Sequence, residues 1–503
     1  MPITIQIPYM LTRYSEERPE IEVEGTTVGE AFEAMFAVWP QMRIRLIDRH
    51  DHIPPYLIIL HNDEEIDRRT WASRPARDGD VLNVVPAVEG GSDVRMRGFR
   101  DRATVPEAQK VAFAGLRRRA EEVFVGDAAG RVLREDVESP VAVPPFDRAA
   151  MDGFAIRGED SFGATLYDPV RLAVVGEVLP GRVDPPRLGP GEALRIMTGA
   201  PLPPGADAVL KAEDAVAEHH AVLVNAPVTP GKNVGRRGED IAPGQTVLAA
   251  GRRLRPQDLG LLASIGRGRV KVVRRPRVGI LVTGNELLPP GEMPEGHRIV
   301  DSNTPMLEAL VRADGGEVHR TWRLPDDPDA IRAALETEDL EVLIAAGGSS
   351  VGREDWLPLL VRELGELPIH GVAMRPSSPT GIGRIGDRRV FLLPGNPVSC
   401  LCAYDFFAGP AIRGLAGLDA AWPYPTRSAR LARRISSAIG RVDYVRVLDL
   451  PDGRVEPIAA SGASILSSTT RASGFVVVAE DSEGCEEGAT VRVHRYDGRS
   501  PTA

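Results

Sequence analysis

The chain has 503 residues, of which 43% are hydrophobic and 26% charged, so the length predicts about three to five domains of ordinary soluble composition. A formal net charge of −10 argues against nucleic acid as the main partner. No apolar run approaches the ~20 residues that cross a bilayer, and the first ten residues lack the pattern of a secretory signal, so we expect a cytoplasmic protein with no membrane partner.

Residues 1–91 form the first predicted domain. Alternation in ITIQI predicts an early strand, residues 28–38 a helix, residues 56–60 a second strand, and RDGDVLNVVPAVEGG a last strand. This order resembles the ubiquitin-fold sulfur carriers of molybdopterin and thiamine synthesis, the MoaD/ThiS type. The resemblance implies a β-grasp fold.

The end of this domain, Gly90-Gly91, carries the specific part of the resemblance. Such carriers use a free C-terminal Gly-Gly, because glycines thread the narrow channel of an adenylating enzyme. The resemblance therefore implies processing and thiocarboxylation at Gly90 and Gly91, with molybdopterin-synthase or adenylating enzymes as partners. Ser92 follows Gly91, so the carboxylate is blocked as encoded, and a plain flexible linker is the alternative.

The next region combines residues 92–147 and 235–275, a predicted linker and helical region, with a β-rich domain at 148–234. We expect a helix from Val105 to Phe124. The run VPPFDRAAMDGFAIR follows, and its prolines and glycine keep Asp147 and Asp152 out of regular helix. Carboxylates on such a loop are typical of a cation site or a reacting site, although a solvated turn is the ordinary alternative for each acid alone.

Two further motifs lie in the β-rich region. IMTGAPLPPGADAVLKAED places Thr198 at a boundary between a strand and a turn, and NVGRRGEDIAPG places Asp240 just after a glycine turn. A hydroxyl and an acid on such turns favour a polar cleft.

Residues 276–422 alternate strands and helices, which predicts a mostly parallel, doubly wound sheet with ligands beyond the carboxyl ends of its strands. We expect strands at 278–282, 318–322, 342–346 and 391–393, and helices at 305–311, from Asp329, and at 400–407. Three strand ends carry TGNE, GGSS and PGNP, and glycines there let the backbone approach an anion. No GxxxxGK[ST] loop is present, which disfavours an ordinary NTPase.

Two smaller features complete the pattern. Cys400 and Cys402 alternate without further ligands nearby, so helix packing is expected there rather than a metal site. Residues 423–503 follow a proline-broken linker and predict short alternating strands, hence a small β-barrel or sandwich.

The motifs together resemble the molybdopterin molybdenumtransferases, the MoeA family. The resemblance implies a multidomain α/β plus β fold: the β-grasp domain, an extended helix and β-rich region, a doubly wound molybdopterin-binding α/β domain, and a C-terminal small β-barrel. It also implies a homodimer that inserts molybdate into adenylylated molybdopterin and releases AMP with Mg²⁺. The cleft would lie between the β-rich region of one chain and the α/β domain of the other.

The site residues follow by motif match. The catalytic group would be Asp147, Thr198, Asp240, Glu286, Asp326 and Asp355. The metal would be held by Glu286 and Asp301. Molybdopterin and its phosphates would contact Thr283, Gly284, Ser302, Gly347, Gly348, Ser349, Ser350, Pro394, Gly395 and Asn396. Molybdate would contact Arg375, Ser377, Ser378 and Ser399.

The chain departs from the family at one turn. Pro-Gly-Lys-Pro is common there, and its lysine helps to hold molybdate, whereas this chain reads PSSP with Ser378 at the lysine position. Arg375, Arg384 or Arg353 could supply the lost charge, and Asn285 stands where an acid is usual. A divergent molybdopterin-binding paralogue or scaffold, or an enzyme using tungstate, is therefore the alternative function. A sulfur carrier joined to an unrelated anion-binding enzyme would require the motif order to be coincidence.

Overall fold

The structure is a computed structural model that describes residues 2–7, 15–16, 18–47, 51–53, 57–62, 64–67, 70–86, 102–348, 355–458 and 465–497. The predicted sites at Gly90, Gly91, Ser349 and Ser350, and the candidate cation Arg353, lie outside these residues. The chain divides into two compact units, one made of Met1–Arg102 with Gly348–Trp356 and the other of Ala103–Gly347 with Leu357–Ala503.

The first unit contains a five-stranded sheet in the order Glu20–Val23, Ile3–Gln6, Val81–Pro86, Leu57–His61, Glu64–Glu65. The first and last long strands pair in parallel, and the others pair antiparallel. The helix Val28–Val38 begins where Thr27 accepts a hydrogen bond from the Glu30 N–H, and a second helix spans Pro40–Leu46. The predicted β-grasp fold is confirmed, with its helix at the predicted residues.

The second unit begins with a helix that is shorter than predicted. The helix spans Val105–Phe113, and Ala120–Phe124 is a strand paired with Arg269–Val273. The prediction of one helix through Phe124 is therefore wrong. Gly115 has φ +64, which ends the helix, and alternation in the following residues suits a strand with one face partly buried.

A six-stranded sheet forms the β-rich region, in the order Ala208–Lys211, Gly153–Ile156, Glu192–Ile196, Val170–Val178, Ala221–Val224, Ala215–Ala217. Short ladders join Arg148–Ala149 to Val234–Gly235 and Val137–Glu138 to Thr246–Leu248, and a helix spans Pro256–Ser264. The first of these ladders brings the predicted motif loops next to one another.

The α/β region has a six-stranded sheet in the order Glu317–Leu324, Arg277–Thr283, Val342–Ala346, Arg388–Leu393, Gly381–Ile385, Glu366–His370. The first four strands are parallel and the last two antiparallel, so the predicted mostly parallel sheet is confirmed. Helices span Asn303–Ala313, Pro328–Leu335, Leu357–Leu364, Pro397–Ala403 and Gly409–Leu415. The helix expected from Asp329 starts one residue earlier, because the Asp327 carboxylate accepts from the Ala330 N–H as its N-cap.

The helix expected at 400–407 is longer and irregular. A π-helical turn, Tyr404–Ala408, joins its two α-helical parts. Pro410 has no N–H to offer the Phe406 carbonyl, which accepts instead from the Gln109 side chain, and the Asp405 carbonyl accepts from the Trp422 indole at 2.7 Å.

The C-terminal region is a twisted sheet in the order Met374–Arg375, Val442–Asp449, Gly474–Val478, Thr490–Arg495, Thr426–Arg430, with Val455–Pro457 beside Val442–Asp449. A pair of short strands, Ile435–Ser436 and Gly484–Cys485, and a helix, Ser467–Arg471, complete it. Its edge strand Met374–Arg375 comes from the α/β region, which places the PSSP turn where the two regions join. Among the described residues, no helix has the length and apolar character needed to cross a membrane.

Candidate functional site

Three strand ends of the α/β sheet meet at one point. The Gly347 N–H donates to the Leu393 carbonyl at 3.3 Å, and a Cβ at Gly347 would lie 2.4 Å from the Thr283 carbonyl. Gly347 has φ +96, and a Cβ on Gly395 would lie 3.4 Å from the Gly347 Cα. Only glycine fits at position 347, because both the contact and the dihedral angle exclude a side chain. The predicted ends TGNE, GGSS and PGNP thus converge through Thr283, Gly347 and Gly395.

Buried polar atoms without a protein partner lie at this convergence. Thr283 is 4% exposed, and its hydroxyl has no hydrogen-bond partner among the described residues. Asn303 donates to the Gly395 carbonyl at 2.7 Å, while its own side-chain oxygen, also buried, is unpartnered within the same part of the chain. A buried polar group without a partner costs free energy, so these atoms point to a bound ligand or water. Sequence reasoning missed Asn303, although it directly follows the predicted Ser302.

The acids predicted beside this sheet edge fall into two kinds. The Asp301 side chain is buried, accepting from the Thr304 N–H at 3.0 Å and from Arg323 Nε at 3.2 Å. Glu286 is exposed, and Asp326 follows the end of the neighbouring strand, its N–H donating to the Asn285 side chain at 3.2 Å. Asp301 therefore anchors its loop and helix, whereas the exposed Glu286 and the half-buried Asp326 lie at the same edge.

Four further predicted residues lie at this edge of the sheet. Ser302 precedes the helix Asn303–Ala313 without capping it through its side chain, and Asn396 is exposed at the start of Pro397–Ala403. Pro394 is buried. A Cβ on Gly284 would lie 2.7 Å from an oxygen of the Glu286 carboxylate, which therefore lies close to this glycine.

The motif loops of the β-rich region are held together by their own acids. Asp147 accepts from the Arg237 N–H at 2.7 Å and from Arg236 at 3.2 Å. Asp152 accepts from both the N–H and the hydroxyl of Thr198, each at 2.7 Å, and these bonds lower the pKa of the Asp152 carboxyl. The loops containing VPPFDRAAMDG, MTGAP and GRRGED thus form one cluster.

This loop cluster presents acids and apolar side chains to solvent. Asp240 is exposed, and Phe146, Met151 and Met197 are 42%, 43% and 40% exposed. The side-chain hydrogen bonds that Asp147, Asp152 and Thr198 form among the described residues all join residues between positions 147 and 237. The structure therefore gathers the predicted residues into two groups, one at the strand ends and one on these loops.

The PSSP turn brings Ser377, Ser378 and Ser399 together. Ser377 has φ +85, and its hydroxyl donates to the Ser399 carbonyl at 2.5 Å, while the Thr380 hydroxyl donates to the Ser377 carbonyl at 2.7 Å. The Ser378 hydroxyl is buried without a partner among the described residues. The turn therefore has a buried hydroxyl at position 378 that no other described residue engages.

The cations around this turn share one buried acid. Arg375 pairs with Asp443, which is fully buried and also accepts from Arg441 Nε at 2.9 Å. Cys402 lies behind the turn, where burial raises the pKa of its thiol far above the usual range. Sequence reasoning missed Asp443 and Arg441, although RVDY is a charged run within an otherwise apolar strand.

Comparisons with known proteins cover nearly the whole chain. Residues 103–266 match the MoeA N-terminal region (domain I and II), 279–414 the probable molybdopterin binding domain, 428–496 the MoeA C-terminal region (domain IV), and 9–91 the ThiS family.

Named relatives agree with these matches. Molybdopterin molybdenumtransferase 2 of Mycobacterium tuberculosis is 37% identical over 392 residues, covering 75% of this chain and 96% of its own. Molybdopterin molybdenumtransferase of Staphylococcus aureus is 32% identical over 71% of this chain and 84% of its own. The crystal structure of a molybdopterin biosynthesis moea protein from Pyrococcus horikosii shares 35% identity with a TM-score of 0.68, covering 79% of this chain and all of that one.

Proposed function

The chain belongs to the molybdopterin molybdenumtransferase family of molybdenum cofactor biosynthesis and carries an N-terminal ThiS-family domain, and on this premise we propose that it transfers molybdenum from molybdate to adenylylated molybdopterin in the cytoplasm. Water attacks the phosphoanhydride bond between the pterin phosphate and AMP, and AMP leaves. The two thiols of the pterin replace oxygen on molybdate, and that oxygen leaves as water with the thiol protons. The observation that supports the proposal is the meeting of three strand ends around buried polar atoms of Thr283 and Asn303 that have no partner among the described residues.

The strand-end group supplies the binding site for the pterin phosphate. Gly347 and Gly395 let the three strand ends pack close together, and the Thr283 hydroxyl at this point can donate to phosphate oxygens. Such contacts fix the phosphorus in place, and donors that meet the charge that develops as the bond breaks lower the barrier.

The carboxylates fit a loosely held Mg²⁺ rather than a preformed cage. In the part of the chain that the structure describes, no group of three or more His, Cys, Asp or Glu side chains is arranged to hold a metal ion. Mg²⁺ in phosphate chemistry commonly uses one or two carboxylates together with substrate phosphates and water, so the oxygens of Glu286 and Asp326 are suitable donors. Asp301 can join them only by giving up its ion pair with Arg323. Bound Mg²⁺ would neutralise charge on the phosphate oxygens.

The direct test is molybdate-dependent release of AMP from adenylylated molybdopterin. Thr283→Val keeps the shape of the side chain and removes its hydroxyl, so we expect the turnover to fall by about 10²-fold, as for loss of one oxyanion donor. Thr246→Val, at an exposed position of the strand Thr246–Leu248, is the matched control and should leave the rate unchanged. Equal rates for the two variants would contradict the assignment of Thr283.

The loop cluster completes the site from a second copy of the chain. Its exposed acids surrounded by Phe146, Met151 and Met197 are the composition of an interface, because apolar side chains of this size rarely stay exposed in groups. A two-fold dimer would bring these loops of one chain to the strand ends of its partner. Asp147 and Asp240 then act across the interface from Glu286.

Mixing two inactive variants tests the shared site. Asp147→Ala, Asp240→Ala and Glu286→Ala should each lower turnover by about 10²-fold or more with little unfolding. Co-folding Asp147→Ala with Glu286→Ala should then restore about a quarter of the wild-type rate, since half of the dimers are mixed and each contains one intact site. A mixture as inactive as its parts, or a fully active monomer by light scattering, would refute a site shared between chains.

Ser378 favours one second candidate: a molybdopterin-binding paralogue with weak molybdate insertion, or one that uses tungstate. The Ser378 hydroxyl carries no charge, and the nearby Arg375 is already paired with Asp443. Ser378→Lys would add a charge-assisted contact worth about 1.5–3 kcal/mol. Oxyanion affinity would then rise about tenfold or more, since ~1.4 kcal/mol is a factor of ten.

Titration of wild type and Ser378→Lys with molybdate and with tungstate separates the two candidates. Tighter molybdate binding and faster AMP release in Ser378→Lys would support the weakly inserting paralogue. Efficient molybdate-dependent release by the wild type would support the molybdenumtransferase. Unchanged affinity for both oxyanions would show that neither binds at this turn.

A further inference from the structure

A cavity of about 740 Å³ lies at the far side of the α/β region from the strand-end site. Its walls are the outer face of the helix Val105–Phe113, the turn that follows this helix, and the antiparallel hairpin at the edge of the sheet. Arg389, at the start of the strand Arg388–Leu393, lines the cavity, whereas Pro394 and Gly395 follow the other end of that strand. At ~3.3 Å per residue the two sites are separated by more than ~13 Å of strand.

Two of the three acids that line this cavity accept hydrogen bonds from neighbouring side chains. Glu366 receives both Nε and a terminal nitrogen of Arg384, at 3.2 and 3.1 Å. Glu107 caps its own helix by accepting from the N–H and the hydroxyl of Thr104, at 2.8 and 2.9 Å. Both carboxylates therefore already have a partner, and Asp387 is the third acid of the lining.

Three cations line the same space without a described acidic partner. Lys110 and Arg117 are exposed on the helix and its following turn, and Arg389 is half-buried between them and the hairpin. No ion pair or side-chain hydrogen bond joins any of the three to a carboxylate in the part of the chain that the structure describes. Burial and the charge of Arg384 lower the pKa of Arg389, so its guanidinium bears a cost that an anion in the cavity would offset.

The turn that follows the helix Val105–Phe113 passes beside Arg389. A Cβ on Gly115 would lie 3.8 Å from a terminal nitrogen of Arg389, and Gly115 has φ +64, which disfavours any other residue. The turn therefore passes close to the guanidinium without covering it. Val111, Pro368 and Ile369 form an apolar part of the wall.

We propose that this cavity is a binding site for a small organic phosphate, separate from the strand-end site. The phosphate pairs with Arg389, Arg117 and Lys110, and the organic body packs on Val111 and Ile369. The volume lies in the range of small-molecule sites, and such sites combine apolar walls with a few convergent charged groups. Arginine suits the phosphate end because its planar donors match phosphate oxygens in pairs.

Calorimetric titration of the full-length protein with phenyl phosphate tests this proposal. We expect one equivalent per chain, weaker binding of inorganic phosphate, and no binding of phenol, because both the anion and the apolar body contribute. Arg389→Gln should weaken phenyl phosphate binding by about tenfold or more, and Arg117→Gln should weaken it by less. Arg430→Gln, on an exposed strand face of the C-terminal region, is the control and should bind as the wild type does.

Several results would overturn the proposal. These are no binding of phenyl phosphate, equal binding by wild type and Arg389→Gln, or equal binding of phenol and phenyl phosphate. A change of oligomeric state in Arg389→Gln without phosphate binding would identify the cavity as an interface between copies of the chain. Phenyl phosphate also suits the proposed strand-end site, so binding that is lost in Thr283→Val and retained in Arg389→Gln would place the probe there and overturn the proposal for this cavity.

Discussion

Ser377 offers a measurement of backbone strain at the candidate molybdate turn. At φ +85 a side chain costs about 1–2 kcal/mol relative to glycine. The Ser377 hydroxyl bond to the Ser399 carbonyl returns about 0.5–1.5 kcal/mol. Ser377→Gly relieves the strain and loses the bond, so its stability should stay within about 1 kcal/mol of the wild type. Ser377→Ala keeps the strain and loses the bond, so it should fall about 1–2 kcal/mol below the glycine variant.

Scanning calorimetry of the full-length protein measures this difference. For a folding unit of the size of the α/β region, about 1–2 kcal/mol corresponds to roughly 2–8 °C in Tm. Ser264 is the matched control, because its hydroxyl also donates to a carbonyl, at 2.8 Å, but from the end of an ordinary helix. There alanine should be more stable than glycine by about 0.5–1 kcal/mol. An alanine variant at 377 as stable as the glycine variant would refute the strain.

Three further predictions follow from contacts elsewhere in the chain. Because Asp152 holds both the N–H and the hydroxyl of Thr198, Asp152→Ala should lower turnover about tenfold or more, and Asp152→Asn, which keeps an acceptor, should recover much of the rate at unchanged substrate affinity. Hydrogen bonds from Asn62, Arg77 and His61 lower the pKa of Asp80 to about 2. The carboxylate therefore stabilises the N-terminal unit above pH ~4, and this contribution disappears as the pH falls towards 2. Acid unfolding followed by circular dichroism should show this loss of stability in the wild type and not in Asp80→Asn. If the N-terminal domain carries sulfur, intact-mass analysis from the native host should find a fragment ending at Gly91, free or as thiocarboxylate, whereas full-length chain alone under molybdopterin-synthesising conditions would leave it a tether or regulatory module.

The sheet of the α/β region could be predicted because its pattern is local. Three of its four parallel strands contain a short apolar run that stops at a glycine or a proline, and the strand 342–346 is predicted at its observed ends. The convergence of Thr283, Gly347 and Gly395 then follows from the topology, since carboxyl ends of parallel strands share one edge. The prediction of a helix through Phe124 was wrong because the contact that decides the structure there is distant in the sequence. Its last five residues become a strand through pairing with Arg269–Val273, about 150 residues later in the chain, and the alternation in Ala120–Phe124 is too short to distinguish a strand from a helix without that partner.

The electrostatics of the candidate site could not be predicted from motifs. Arg375 was proposed as a molybdate contact, but its main partner is Asp443 in another region of the sequence. Asp301 was proposed as a metal ligand, and its partner Arg323 lies at the end of the neighbouring strand. Motif matching identifies residue types in order along the chain, whereas the charge that remains for a ligand depends on which side chains fold against each other.

That dependence determines what the PSSP turn can do with an oxyanion. Arg375 and Arg441 contribute two positive charges, and the buried Asp443 cancels one of them, so the cluster presents a single net charge held in fixed ion pairs. A lysine at position 378 would add a mobile charge next to the bound oxygens, whereas the Ser378 hydroxyl adds one neutral donor. If molybdate binds here, its affinity should depend less on ionic strength than in relatives with the lysine, because fewer unpaired charges meet the dianion. The orientation of the bound oxyanion would instead be set by the Ser378 hydroxyl and by the backbone of the turn, which holds Ser377 at φ +85.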